Sequence, residues 1–112
     1  MPYLKLQTSK NVFNKREVIQ KLSGIVAEEL GKPESYVMVA LESEVKMCFG
    51  GDTDPAIFMQ LKSIGLSESM TDSLSEALCT YASEKLNIDS DRIYIEFTDV
   101  DGSFWGWNKS TF

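Results

Sequence analysis

The sequence repeats itself once, and that repeat constrains the fold more than any other feature. Displaced by 56 positions, Val18 falls on Leu74, Leu22 on Leu78, Ile25 on Tyr81, Val26 on Ala82 and Leu30 on Leu86. The same offset, without a gap, sets Val37 on Ile93, Val39 on Ile95 and Leu41 on Phe97. Two copies at this period describe a doubled supersecondary unit rather than a solenoid. In each copy an amphipathic helix is predicted, over 14–31 and 68–87, from apolar residues three and four apart. Asn14 with Glu17, and Ser69 with Asp72, read as N-terminal caps, and Gly31 with Pro33 as a stop. Strands are predicted at 2–7 and 36–43 around the first helix, and at 56–63 and 92–99 around the second. A helix between two strands implies a parallel βαβ crossover. The expected architecture is therefore α+β. It is one domain over 1–112 with pseudo-repeats at about 2–43 and 56–99, and a four-stranded sheet carrying both helices on one face.

Strand parity says what the other face holds. Ile93, Ile95 and Phe97 point one way, Tyr94 and Glu96 the other. Val37, Val39 and Leu41 likewise oppose Tyr36, Met38 and Ala40. Much apolar and aromatic surface is thus expected on the face without helices, and a monomer does not leave such a patch wet. Sheets of several subunits are expected to pack together there. The short apolar stretches 46–51 and 103–112 are expected to be edge strands docking on a neighbour. A chain of 112 residues has little material for a deep cleft of its own, which again points to a site shared between subunits.

Composition removes several function classes. The chain carries 17 acidic against 11 basic residues, a net charge of −6, and no basic run. Nucleic acid and acidic membrane surfaces are therefore poor partners. No apolar stretch reaches the length of a membrane span, and the start lacks the charged-then-apolar pattern of a signal peptide. A cytoplasmic protein is expected, for which export would take a non-classical route. There is no histidine, which excludes Ser-His-Asp and Cys-His nucleophile systems and His-bearing metal sites. Cys48 and Cys79 stand far apart and form no CxxC pair. "DTD" at 52–54 and "DVDG" at 99–102 lack the twelve-residue calcium pattern and read as turns. Neither a cofactor nor a metal is expected. Any catalysis must use carboxylates, lysines, tyrosines or a chain terminus.

Six stretches, in order, resemble a known family. They are "MP" at the start, "GKP" at Gly31–Pro33, "FGG" at Phe49–Gly51, "SIG" at Ser63–Gly65, "DRIYIEF" at 91–97 and "GWNKSTF" at 106–112. Together they are similar to the macrophage migration inhibitory factor family of the tautomerase superfamily. The resemblance implies a homotrimer whose sheets form a central barrel, with three sites at the subunit boundaries. It implies Pro2 as catalytic base and Lys32 as the cation that holds a substrate carboxylate. Ser63 and Ile64 would form the pocket edge, with the Ile64 amide toward substrate oxygen, and Tyr94 would come from the adjacent subunit. Trp107 and Phe112 would form a hydrophobic rim, with Tyr3 beside the proline. Several positions depart from the family pattern. Ala56, Ile57, Phe58 and Met59 stand where its best-known members carry CxxC, so thiol oxidoreductase activity is not expected. Glu96 replaces an asparagine and is expected either to repel an anion or to pair with Lys32. Trp105 replaces a smaller aliphatic residue and narrows the mouth, and Lys62 adds a positive charge.

The implied chemistry is keto–enol isomerisation, in which a base takes a proton beside a carbonyl and returns it elsewhere. A base works best with a pKa near working pH. Without histidine, the α-amino group is the natural candidate, at about 7.7–8.0 in model peptides. A Pro2 amine exposed by removal of Met1 starts more basic, but an apolar wall and Lys32 both disfavour its cation. The expected substrates are small aromatic or α-keto carboxylates, of the phenylpyruvate kind. The alternative reading is a cytokine-like ligand that engages a protein receptor through its surface and keeps a weak or vestigial pocket.

Overall fold

Alternation of buried and open positions builds the sheet. In the computed structural model, which describes residues 1–112, strand β1 (Pro2–Thr8) buries Pro2, Leu4, Leu6 and Thr8 and turns Tyr3, Lys5 and Gln7 the other way. Helix α1 (Lys15–Leu30) then crosses over to β2 (Met38–Glu42), which lies parallel to β1. β3 (Ile57–Ile64), α2 (Thr71–Leu86) and β4 (Ile93–Val100) repeat the unit, again with a parallel strand pair. The two units join through antiparallel β1 and β3, giving the sheet order β2-β1-β3-β4. The protein is α+β, with two helices packed on one face of a four-stranded sheet, as its sequence implies.

Positions matched by the 56-residue offset are buried alike. Leu22 and Leu78 are both fully buried, as are Val26 and Ala82, while Leu30 and Leu86 lie at the margin of the same cluster. Leu22→Ala and Leu78→Ala are each expected to destabilise the fold by about 2–5 kcal/mol, since both empty a closed core position. Denaturant titration of the two variants checks this.

Local chemistry departs from expectation at the helix starts. Asn14 is in the left-handed region (φ 47°) and makes no side-chain cap. Its carbonyl accepts the Val18 amide at 3.1 Å, and Glu17 instead reaches across to Lys85 of α2 at 2.9 Å. Residues Glu68–Met70 form a separate 3-10 turn, capped by Ser67 rather than Ser69, so α2 begins at Thr71. A similar turn at Glu34–Tyr36 delays β2 to Met38. At the far end of α1 the expected stop is present. Gly31 adopts φ 63°, and the amides of Gly31 and Lys32 bond the carbonyls of Glu28 and Ala27, an arrangement that glycine permits at no steric cost.

The two stretches expected as edge strands behave differently. Residues 46–51 form a loop with a single bridge, Phe49 to Asp52, because the glycine pair 50–51 turns the chain at once (φ 63° and 84°). Residues 106–111 do pair, as a hairpin of β5 (Gly106–Trp107) and β6 (Ser110–Thr111). Its two-residue turn, Asn108-Lys109, has both φ positive (51° and 71°), as the twist of a tight hairpin requires.

The sheet face without helices is less apolar than parity suggested. Its middle is a polar belt: Lys5 pairs with Glu42 at 3.1 Å, Gln7 donates to Glu42 at 2.9 Å, and Gln60 donates to Glu96 at 3.0 Å. The Gln7 bond, then Lys5, holds the Glu42 carboxyl below its ordinary range. Apolar and aromatic side chains sit at the two ends of this face, Met38 with Tyr3 and Phe58 with Tyr94. Strand parity assigns a residue to a face but is blind to the partner that neutralises it.

Candidate active site

The start of β1 lies at one end of the sheet. Pro2 pairs with Ser63 of β3, and Tyr3 stands between Met38 and Lys62. Above it opens a cleft of about 540 Å³, lined chiefly by Met1, Pro2, Tyr3, Tyr36, Met38, Trp105 and Trp107. The hairpin supplies the roof. Trp107 stacks on Phe112 with ring centres 5.7 Å apart, and Tyr36 meets Trp107 edge-on at 5.9 Å. The Phe112 amide bonds the carbonyls of Gly102 and Trp105. Any larger residue than glycine at 102 would bring its Cβ to 3.1 Å from the Phe112 carbonyl oxygen. Phe112 therefore braces Trp107 from behind and does not line the cleft itself.

Beneath this apolar mouth is a compact polar cluster. The turn at Gly31 redirects the chain so that Lys32 reaches back over β3. Its ammonium donates to the Ile64 carbonyl at 2.6 Å and lies 3.1 Å from the Ser63 hydroxyl, which is fully buried. Asp99 secures the following turn by accepting the Leu66 amide at 3.0 Å, so "DVDG" has a structural use. The chain's terminal amine belongs to Met1 here. Burial, the Lys32 charge and a hydrogen bond with Lys32, in that order, lower its pKa from 8.0 to about 6. A cation is disfavoured at this spot, and a neutral amine is present at neutral pH.

Not every predicted residue converges on the cleft. Pro2, Tyr3, Trp105 and Trp107 line it, and Lys32, Ser63 and Ile64 form the cluster at its foot. Tyr94 lies at the opposite end of the sheet, level with Phe58 and Gln7. Five residues of strand separate that level from Ser63, about 16 Å. Glu96 does not pair with Lys32: it is held by Gln60 in the middle of the open face. Tyr36 and Met38, by contrast, line the cleft without having been singled out. Their signal was present in their parity, which set both on the face away from the helices. A second hollow of about 320 Å³ lies by the ends of the helices. Its lysines are already engaged, Lys10 with the Leu86 carbonyl and Lys85 with Glu17.

Two βαβ units fused through antiparallel strands, with the chain start at the foot of an aromatic cleft, define a member of the tautomerase superfamily. More narrowly, the chain belongs to the macrophage migration inhibitory factor (MIF) family, whose model matches residues 1–112. A macrophage migration inhibitory factor homolog of Brugia malayi is 38% identical over 115 residues, covering 100% of this chain and 99% of that one. The homolog of Trichinella spiralis is 36% identical over 114 residues, covering 100% of both. Among solved structures, the homologue from Prochlorococcus marinus superposes with a TM-score of 0.94 at 44% identity, covering 98% of each chain. The Trichinella spiralis structure gives 0.89 at 34% identity, covering 98% of this chain and 99% of that one.

Proposed function

We propose that the protein is a keto–enol tautomerase of the phenylpyruvate type, with the Pro2 amine, exposed once Met1 is removed, as general base. The observation that carries this reading is the chain start at the foot of the cleft, where burial and then Lys32 disfavour a cation on the Met1 amine; the same surroundings would lower the pKa of a Pro2 amine. The neutral amine takes the proton beside the substrate carbonyl and returns it at the other end of the enol system. Lys32, one turn of chain beyond α1, pairs with the substrate carboxylate and gives up part of its bond to the Ile64 carbonyl to do so. The Ile64 amide receives the carbonyl oxygen, and the aromatic ring lies among Tyr3, Tyr36, Trp105 and Trp107. Holding the reacting groups in this order contributes as much as the base itself.

Tyr94 enters this reading through a second copy of the chain. It is too far from its own Pro2 to serve that cleft, and it is exposed on the open sheet face. In a homotrimer with the sheets turned inward, Tyr94 of one subunit completes the cleft of the next, and the polar belt lines the barrel. The test is enol-to-keto conversion of phenylpyruvate by protein whose intact mass shows Met1 absent. Conversion well above the buffer rate is expected. Its absence would transfer the reading to a receptor-binding role, which the exposed Phe13, Phe104 and Trp107 would serve without the amine.

A further inference from the structure

The long connection between β2 and β3, residues 43–56, runs past the end of the sheet farthest from Pro2. Long loops in compact domains usually carry function or are held for it. Its ends are tied to β1 and the residues just after it, through Glu44, Val45 and Ala56, and residues 49–55 gather on one side chain. Arg92, in the turn just before β4, donates to three of the loop's carbonyls: Phe49 at 3.2 Å, Asp54 at 2.9 Å and Pro55 at 3.1 Å. It also pairs with the Asp52 carboxylate at 2.9 Å. The guanidinium then lies over the Phe49 ring, 5.0 Å from its centre. That ring packs against Tyr94, with centres 4.6 Å apart and planes tilted by 36°.

These contacts form one chain of cause. The three carbonyl bonds need a planar fork of donors, which lysine does not have. The fork fixes the loop, and the cation over Phe49 fixes the ring. Phe49 in turn limits the positions open to Tyr94, an aromatic side chain that is 62% exposed and has few other restraints. A side chain ordered in advance loses less freedom when it meets a ligand.

We propose that Arg92, acting through Phe49, is a positioning residue that presents Tyr94 to the cleft of a neighbouring subunit. This rests on the reading of Tyr94 given under the proposed function. Arg92 touches no substrate. Its effect is on how tightly substrate is held, not on proton transfer.

The test compares Arg92→Lys and Phe49→Leu, each alone and in a Tyr94→Ala background, in the full chain trimmed to Pro2. With Tyr94 present, each change should raise KM for phenylpyruvate about fivefold and leave kcat within about twofold, as the loss of uniform binding does. With Tyr94 removed, the same changes should alter KM by less than about 1.5-fold, since only coupled residues show such non-additivity. An equal rise in both backgrounds, or none in either, overturns the proposal. A second readout does not need activity. The ring-proton resonances of Tyr94, displaced by the Phe49 ring, should move toward unstructured values in Arg92→Lys. Resonances that stay in place also overturn it. Inactive wild-type protein would sink the tautomerase reading, and the resonances would still decide whether Arg92 holds Tyr94.

Discussion

Protein that keeps Met1 is expected to convert phenylpyruvate at least about 100-fold more slowly than protein trimmed to Pro2, the contribution general-base catalysis ordinarily makes. Two effects act together. With Met1 in place the Pro2 nitrogen is an amide and accepts no proton. Met1 also lines the cleft and occupies space that substrate needs. Intact mass separates the two forms, and steady-state rates on each give the ratio. Trimmed Pro2→Gly is expected to lose a similar factor in kcat/KM. Glycine leaves a primary amine on a more mobile residue and empties a fully buried position opposite Ser63. Equal rates for the two forms of the wild-type chain would rule out the Pro2 amine as the base.

Lys32→Met should produce the second large effect, on both binding and pH dependence. The ammonium donates to the Ile64 carbonyl and adjoins the Ser63 hydroxyl, so a carboxylate would meet a cation already in position. Its loss should raise KM at least about tenfold, as removal of a charge-assisted hydrogen bond does. The pH profile shifts for a separate reason. At this spot burial and then Lys32 lower the pKa of the Met1 amine, and the Pro2 amine of the trimmed chain meets the same two influences. Without Lys32 only burial remains, so the pKa rises toward the ordinary value. A base must be unprotonated, so kcat/KM of the trimmed wild type should rise with pH through the lowered pKa of the Pro2 amine and level off above it. In Lys32→Met that rise should move to higher pH, and less of the amine is active at neutrality. The methyl ester of phenylpyruvate separates the two effects. It has no carboxylate to lose, so its KM should change little while its pH profile still shifts. An unshifted profile would mean that Lys32 does not govern the base.

How far the sequence alone reaches differs between the sheet and the site. The apolar stripes of α1 and α2 were readable because burial there depends only on spacing, as Leu22 and Leu78 show. The helix starts were not, because a cap depends on one residue's backbone angles. Asn14 at positive φ makes no side-chain bond to the amides of the first turn. Residues 46–51 read as a strand from their side chains, yet Gly50 and Gly51 end it. In the cleft and at its foot, Pro2, Lys32 and Ser63 are named by resemblance; strand pairing sets Pro2 opposite Ser63, and the turn at Gly31 brings Lys32 to it. Tyr36 and Met38 escaped notice because a hydrophobic residue near a strand start looks the same whether it faces a neighbour or a ligand. Glu96 was misjudged because its partner, Gln60, lies 36 residues away on another strand.

The hairpin of β5 and β6 shares no strand pairing with the four-stranded sheet. The proposed base stands on the large sheet and its lysine just beyond α1, whereas the roof over them belongs to a separate small unit. A change in the roof, at Trp105 for example, therefore alters no strand pairing of the large sheet. Across a lineage, the choice of molecule admitted and the capacity to move a proton can drift independently. A change in the molecule admitted needs no change in the skeleton beneath it.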